Sequence, residues 1–431
     1  MNESHTQWTL QETEIAAAGT VLKTEWLARY RIRVFDVVLH LYFWVASAFT
    51  KPAPRVRDHD IRKILVLEYS NFGDIVLLLP LLQNLRIHYP LAEITLLANP
   101  KTSSLLKGLS LVDEIIPILV PQGMYFSRWQ RLNFFSAGWS NARRCLRQLR
   151  QRKFDLALTA RIDVMDNWML WLTGAAQRVG YGLRRGRFFL TDIVKPDLDH
   201  VHGSDRWLAI LHTLGKLPVR QAPRLTTLPD EDKQAAEWLA ARSIRDEDLV
   251  IGIHPGARLP IRQWGEENFR AVAERVRREF PVKILWFQDP ASGDQATEAP
   301  EGTIPAMFDL RAFMAVLSRC RLFVCNDSGP MHIAAALEVP VVSVFGPQKP
   351  EYFGPLGAGH RVVIRGGFWC RPCGDRCIFD KPYCLNTITV KEVFDVAAEA
   401  ILSLGGSKRP DRDINDLQPC REGTAGQLRV R

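Results

Sequence analysis

Two halves of the chain repeat one order of apolar and polar positions. In the first half, the apolar run 63–68 (KILVLE) is followed by a polar turn and by an apolar helix predicted at about 74–88. In the second half, the apolar run 249–254 is followed by a Pro-Gly-Ala turn, and a helix is predicted to begin near Glu266. Apolar runs of strand length that alternate with helices are typical of a parallel sheet covered on both faces. The pattern therefore predicts an α/β protein.

The same pattern indicates where the chain divides. Further strands are predicted at 93–98, 114–119, 154–159, 282–287, 321–326 and 341–345. The proline-rich segment 218–229 lacks a helical period and is typical of a connector. We therefore predict two Rossmann-like, doubly wound domains that face a cleft, with ligands at the carboxyl ends of the strands. The predicted division is an N-terminal extension (1–60), a first domain (61–217), a linker (218–230), a second domain (231–404) and a disordered polar tail (405–431).

Composition narrows the choice of partners. The chain has 431 residues, which suits two domains, and its 56 Lys and Arg exceed its 47 Asp and Glu. A basic excess fits a phosphate-bearing ligand, an anionic membrane surface or nucleic acid, and because no nucleic-acid-binding motif is present we expect no nucleic acid. The N-terminus does not resemble a signal peptide, and eight cysteines in a chain of this length do not make a disulfide scaffold. We expect a cytoplasmic protein.

The segment 34–50 is mostly apolar, with Asp36 and His40 inside it and basic residues on both sides. A membrane span needs about 20 apolar residues, so this segment is too short to favour one. Two interpretations remain: a helix lying in the membrane interface, which would hold the protein at the inner face of the cytoplasmic membrane, or a helix packed on the protein itself.

The turn 326–332 (NDSGPMH) lies between a predicted strand and a predicted helix. The unpaired amides and positive dipole end of a helix start can bind phosphate oxygens. Gly329 allows a close approach to the backbone, Ser328 adds a hydroxyl, and Asp327 and His332 complete the cluster. An ordinary capped helix is the alternative, but capping requires only one of these polar residues.

A second candidate loop, 254–264, also follows a strand and includes Gly256, Arg258 and Arg262. A guanidinium is well matched to a diphosphate leaving group, whose charge grows as the bond to the sugar breaks. The alternative is a solvated basic loop, which is more plausible for Arg258 than for Arg262 because Arg262 lies two residues before Trp264.

In the first half, Asn71, Gly73 and Asp74 form the turn after strand 63–68. A carboxylate at a helix start is usually a cap. Across a cleft from a phosphate site, however, Asp74 becomes a candidate general base that takes the proton of an acceptor hydroxyl. Asn71 and Gly73 are then candidate acceptor-binding residues.

These three stretches together resemble glycosyltransferase family 9, the ADP-heptose:lipopolysaccharide heptosyltransferases of GT-B fold. The motifs that carry the resemblance are KILVLEYSNFGDIVLLLPLLQNLR, GARLPIRQWGEENF and NDSGPMHIAAALEVPVVSVFGP, and the last is the most specific. The resemblance covers roughly residues 62–400. By position, Asp74 matches the family's catalytic base, and Arg262 stands where the family commonly has a Lys that neutralises the diphosphate. The residues that match the nucleotide-diphosphate site are Asp327, Ser328, Gly329 and His332.

The resemblance implies an inverting glycosyltransferase with no cofactor or metal required for catalysis. Its donor would be a nucleotide-diphosphate sugar, in particular ADP-heptose, bound by the second domain. Its acceptor would be lipopolysaccharide core or another lipid-linked saccharide, bound by the first domain. The sequence departs from the family's pattern at three places. Arg262 stands where the family has Lys, and Gly265 stands where it has Pro. The segment 288–295 lacks the Glu that holds the nucleotide ribose in the family. The last departure leaves the nucleotide and the sugar open.

Four cysteines lie close together in the sequence near the end of the second domain: Cys370, Cys373, Cys377 and Cys384. Four thiolates can close a tetrahedral structural zinc site, although this spacing is less regular than that of paired zinc knuckles. A thiol-rich loop without metal is the alternative. Two further functions also remain open: a GT-B sugar-nucleotide epimerase and a non-catalytic sugar-nucleotide-binding subunit.

Overall fold

The computed structural model describes residues 57–119, 137–182, 184–195, 201–290 and 298–408. The apolar segment 34–50, with its predicted helix, lies outside the described residues, and so does the predicted disordered tail from residue 409 onward. No helix in the described ranges combines the length and the apolar character that crossing a membrane requires.

The first sheet has six parallel strands. They are β1 (Lys63–Glu68), β2 (Glu93–Ala98), β3 (Glu114–Pro117), β4 (Leu156–Leu158), β5 (Gln177–Tyr181) and β6 (Asp192–Val194). Their spatial order is β3-β2-β1-β4-β5-β6, the order of a doubly wound sheet. The described helices of this half are α1 (Phe72–His88), α2 (Ala137–Gln151), α3 (Val164–Leu172) and α4 (Gly203–Thr213). Strand β1 is at the centre, and all of it except its first residue is buried.

The second sheet repeats this arrangement. Its strands are β7 (Val250–His254), β8 (Lys283–Gln288), β9 (Ile304–Met307), β10 (Leu322–Asn326), β11 (Val341–Phe345) and β12 (Arg361–Ile364), in the order β12-β11-β10-β7-β8-β9. The helices are α5 (Pro229–Ala240), α6 (Glu266–Glu279), α7 (Leu310–Leu317), α8 (Gly329–Ala336), α9 (Pro350–Phe353), α10 (Tyr383–Asn386) and α11 (Val390–Ser403). The predicted α/β class with two doubly wound sheets is confirmed.

The strands predicted from the sequence agree best with the structure at the centre of each sheet. The sequence prediction omitted β5, β6, β9 and β12. The three outermost of these strands mix buried with exposed or half-buried positions, so they lack the continuous apolar run of a central strand. Helix α8 begins at Gly329, inside the segment 326–332 predicted as a turn, and α5 begins at Pro229, inside the predicted linker.

The connector between the two sheets is fixed to both halves by hydrogen bonds. Asn84 in α1 accepts from the backbone N–H of Val219 at 2.7 Å and donates to the carbonyl of Val219 at 2.9 Å. The backbone N–H of Leu225 donates to the carbonyl of Ala336 in α8 at 2.8 Å. Helices α1 and α8 also pack directly against each other. The two turns predicted to carry the chemistry are therefore brought to one interface.

Candidate active site

The first turns of α1 and α8 meet across the interface between the two halves. A Cβ atom added to Gly73 would lie 2.7 Å from Cδ2 of His332, closer than real Cβ contacts come. A Cβ atom added to Gly329 would lie 3.2 Å from Cβ of Phe72. Both glycines are therefore needed for the close approach of the two helix starts. The structure brings together the two turns that the sequence predicts.

Asp74 occupies the third position of α1 and is half-buried. Its Oδ2 accepts from the backbone N–H of Asn71 at 3.0 Å and from the side-chain amide of Asn71 at 3.2 Å. Asp74 also lines a pocket of about 340 Å³, together with Glu68, Arg161, Asp163, Asp166 and Arg206 of the first half and Phe353 of the second. The same carboxylate therefore caps a helix and faces a cavity large enough for part of a saccharide.

Three residues that line this pocket, Glu68, Arg161 and Asp166, form a charge network. Arg161 donates from Nε to Asp166 at 2.9 Å and from Nη1 to Glu68 at 3.3 Å, and its guanidinium lies 4.6 Å from the centre of the Tyr69 ring. The Tyr69 hydroxyl donates to Asp166. Burial raises the pKa of Glu68 to about 7, against the opposing charge of Arg161 and with a smaller contribution from Asp74. Burial, with the charge of Glu68, raises the pKa of Asp166 as well.

On the other side of the interface, Asn326 connects the two candidate turns of the second half. This residue ends β10 and is fully buried. Its Oδ1 accepts from the backbone N–H of Trp264 at 3.0 Å, and its Nδ2 donates to the carbonyl of Pro255 at 2.6 Å. The indole N–H of Trp264 donates to the carbonyl of Ile388 at 2.9 Å. The loop that carries Arg262 is thus attached to the sheet immediately before the turn 326–332.

Arg262 lies between two carboxylates. Its Nε and Nη2 donate to the two carboxylate oxygens of Asp375 at 2.7 and 2.6 Å, and its Nη1 lies 3.3 Å from Oδ2 of Asp327. Arg262 also has a favourable charge interaction with Asp74. The predicted cation is therefore near both the predicted base and the predicted phosphate-binding turn.

The polar residues of the turn itself are buried or half-buried. Burial raises the pKa of Asp327 to about 6; the charge of Arg262 opposes this and that of Asp375 adds to it. Within the described ranges, Oδ2 of Asp327 accepts no hydrogen bond, although Arg262 lies beside it. Ser328 donates to the carbonyl of Asn326 at 3.2 Å. Burial, reinforced by His202 and Arg262, lowers the pKa of His332 to about 3, so its ring is neutral at physiological pH.

The remaining predicted donor-site residues lie at the rim. A Cβ atom on Gly256 would lie 2.9 Å from Cε1 of His254, so Gly256 fits against a buried histidine ring. Arg258 is exposed and contributes to the electrostatic field at Asp375. Both lie on the loop that Asn326 holds.

The four clustered cysteines line one small cavity of about 10 Å³. Burial raises the pKa of the Cys373 and Cys384 thiols, and charge interactions with Cys370 add to both shifts. A set of four thiols around one ion-sized space suits zinc chemistry. Among the described residues, however, no three Cys, His, Asp or Glu side chains are arranged as a metal-ligand set. The zinc site stays a prediction.

Several residues of this site were not predicted from the sequence. Glu68, Arg161 and Asp166 are brought together from separate elements, and Asp375 reaches Arg262 from 113 residues away. A polar residue at the end of an apolar strand was a usable signal for Glu68 and Asn326. No pattern in the sequence pairs Asp375 with Arg262.

Comparison with known proteins gives a consistent result. Residues 142–383, more than half of the chain, match glycosyltransferase family 9 (heptosyltransferase). Lipopolysaccharide heptosyltransferase 2 of Salmonella typhimurium is 24% identical over 316 residues, which cover 70% of this chain and 87% of that protein. The crystal structure of a family 9 glycosyl transferase from Veillonella parvula has a TM-score of 0.65 at 24% identity, covering 81% of this chain and 100% of that one. The structure of the E. coli ADP-heptose lipopolysaccharide heptosyltransferase II has a TM-score of 0.62 at 21% identity, covering 79% and 99%.

Proposed function

This chain belongs to glycosyltransferase family 9, the heptosyltransferases, and on that basis we propose that it transfers a heptose with inversion at the anomeric carbon. The donor is a nucleotide-diphosphate heptose, in particular ADP-heptose, and the acceptor is lipopolysaccharide core or another lipid-linked saccharide. The names of the similar proteins, which refer to lipopolysaccharide and to ADP-heptose, support this choice.

The observation that carries the proposal is the position of Asp74. Its carboxylate faces the pocket of the first half and lies within charge-interaction range of Arg262 in the second. An acceptor hydroxyl in this pocket gives its proton to Asp74 while its oxygen attacks the anomeric carbon of the donor. Both hydrogen bonds from Asn71 fall on Oδ2, so we assign Oδ1 as the oxygen that takes the proton.

The leaving group departs from the opposite face of that carbon. As the bond between the anomeric carbon and the diphosphate oxygen breaks, its electron pair stays on the diphosphate, whose charge grows. Arg262 and the first-turn amides of α8 are the groups that stabilise this charge. The lowered pKa of His332 favours the neutral ring, so we assign it a packing role against Gly73 and not the role of a cation.

The acceptor pocket contains two cations, Arg161 and Arg206, beside its carboxylates. Mixed charge of this kind suits a saccharide whose hydroxyls need both donors and acceptors of hydrogen bonds. A lipid-linked acceptor would be met at the inner face of the cytoplasmic membrane, and the basic excess of the chain favours an anionic surface there.

The test of the mechanism is Asp74→Asn. The amide keeps the size of the side chain but cannot take a proton, so transfer should fall by roughly 10²–10⁴-fold while ADP binding stays nearly unchanged. Asp309→Asn is a matched control, because Asp309 caps α7 by accepting from Ala312 and lies outside the site described above. Transfer by the Asp74→Asn protein at near wild-type rate would show that the assigned base is wrong.

The donor is tested separately by thermal shift with ADP-, GDP- and UDP-linked sugars. A ligand that binds only the folded protein raises the melting temperature by mass action, so the strongest shift identifies the nucleotide. We expect ADP-heptose to give it. Conversion of the donor to an isomeric sugar nucleotide without any acceptor would instead support the epimerase alternative.

A further inference from the structure

Asp375, in the loop that carries the four clustered cysteines (370–384), contacts the proposed donor site. Asp375, between Cys373 and Cys377, forms a two-point ion pair with Arg262, with N–O distances of 2.7 and 2.6 Å. The side chains of Asp375 and Arg262 are only 15% and 22% exposed. A paired, largely shielded guanidinium has much less freedom than a surface arginine.

Asp375 is itself held in place. The side chain of Gln348, which follows β11 and is buried, donates a hydrogen bond to it. Its backbone has a positive φ of 62°, and the preceding Gly374 has a φ of 61°. Two successive residues in the left-handed region make a sharp turn, and Asp is one of the few residues other than Gly that adopt this conformation readily. From this turn the carboxylate of Asp375 reaches Arg262, on the loop that follows β7.

The pairing leaves part of Arg262 available to a ligand. A guanidinium carries five N–H groups, of which Asp375 takes one on Nε and one on Nη2, while Asp327 lies beside Nη1. The edge formed by Nη1 and the second N–H of Nη2 is not used by Asp375, and within the described residues Asp327 is the ion-pair partner of Nη1. Two parallel N–H groups on one edge match two oxygens of a phosphate.

We propose that Asp375 is a positioning residue that fixes the plane of Arg262 so that its remaining edge meets the diphosphate of the donor. The inference rests on the proposed function, because it takes Arg262 as the group that binds the diphosphate. It gives the cysteine-rich loop a role in the donor site: the loop delivers the carboxylate that orients the cation.

The experiment measures ADP affinity by calorimetry and the donor KM by transfer assay, with the full-length chain as wild type and as Asp375→Asn. Asn tolerates the left-handed backbone, so the substitution removes the charge while leaving the turn intact. ADP binding should weaken at least about 10-fold, the effect of one charge-assisted hydrogen bond, and the donor KM should rise in parallel. The KM for the acceptor should stay unchanged.

A double-mutant cycle with Arg262→Met separates positioning from a general structural role. If Asp375 acts through Arg262, Asp375→Asn should cause no further loss of ADP binding in the Arg262→Met background. Asp380→Asn is the matched control, because Asp380 is exposed on the same loop; it should bind ADP like wild type.

Three results would overturn the proposal. Unchanged ADP affinity in Asp375→Asn would mean that the ion pair does not matter for the donor. Tighter binding would mean that Asp375 competes with the diphosphate for Arg262. Additive losses in the double variant would mean that Asp375 acts independently of Arg262. If the wild-type chain binds none of ADP, GDP and UDP, the proposed function fails together with this inference. If the wild-type chain binds ADP but one of the three results above is found, only the role of Asp375 is wrong.

Discussion

Glu68 offers a direct test of the buried charge network, because replacing it by Gln should remove a loss of stability that the wild-type protein undergoes as pH rises toward neutral. Glu68 ends β1 with a side chain only 4% exposed, accepts from the backbone N–H of Ser70 at 2.8 Å, and shares Arg161 with Asp166. Its pKa rises from the usual 4.5 to about 7, with burial as the largest cause. The folded protein therefore holds the Glu68 proton more tightly than the unfolded chain does.

The sign and size of the effect follow from that shift. Between pH 4.5 and 7 the folded state binds more protons than the unfolded state, so wild-type stability falls as pH rises through this window. A shift of this size corresponds to about 3 kcal/mol, all of which has been lost above pH 7. Glu68→Gln has no proton to lose. The stability of the variant relative to wild type should therefore increase by up to about 3 kcal/mol between pH 4.5 and pH 8.

The assay is thermal unfolding of both proteins across this pH range, in which the difference in melting temperature should grow by several degrees in favour of the variant. Glu114→Gln is the control of opposite sign, because Arg152 lowers the pKa of Glu114 and its charge is favourable in the folded state. That effect should be small, since the pair is more than one-third exposed. A melting-temperature difference for Glu68→Gln that is flat with pH would refute the assignment of Glu68 as a costly buried charge.

Two further predictions concern the helix contact and the cysteines. Gly73→Ala places a methyl group 2.7 Å from the His332 ring, so we expect a loss of about 1–3 kcal/mol in stability and a lower transfer rate. Gly366→Ala is the control: no atom lies within 4 Å of the added carbon, so stability and transfer rate should both stay unchanged. Equal melting temperatures for the two variants would contradict the close packing of Gly73 on His332. We also propose that the four cysteines bind zinc. Metal analysis of the purified protein should then find about one zinc per chain, and the Cys373→Ser protein should have lost it. A metal-free wild-type protein with normal ADP binding would favour the alternative of a loop without metal.

The sequence predicted the interior strands of both sheets except β5, whereas it omitted three of the four edge strands. Strands β1, β7, β10 and β11 are continuous apolar runs, and their positions are confirmed to within one residue. Strand β12 pairs on one side only and has a single buried position, so its sequence does not differ clearly from that of a loop. Periodicity reports burial, and burial at a sheet edge depends on neighbours that the local sequence does not specify.

The candidate site also has a part that the sequence predicts and a part that it does not. Asp74, Arg262 and Asp327 each lie at the end of a predicted strand or on the loop after it, and such positions converge in a doubly wound fold. Their proximity was therefore predictable from topology. The partners that determine their chemical state were not: the Glu68–Arg161 pair joins residues 93 positions apart, and the Arg262–Asp375 pair joins residues 113 positions apart. Contacts of this range depend on how loops fold back, for which the sequence alone offers no periodic signal.

The meeting of two helix starts explains why carboxylates surround the proposed diphosphate site. The N-terminus of a helix carries roughly half a positive charge, and α1 and α8 bring two such ends together with Arg262 beside them. Asp74 and Asp327 place negative charge beside these helix ends. Burial is the main cause of the lowered pKa of His332, and the charges of His202 and Arg262 lower it further. A diphosphate entering the site supplies negative charge of its own, which makes part of this compensation redundant. Burial raises the pKa of Asp327 to about 6, and negative charge brought by a ligand would raise it further.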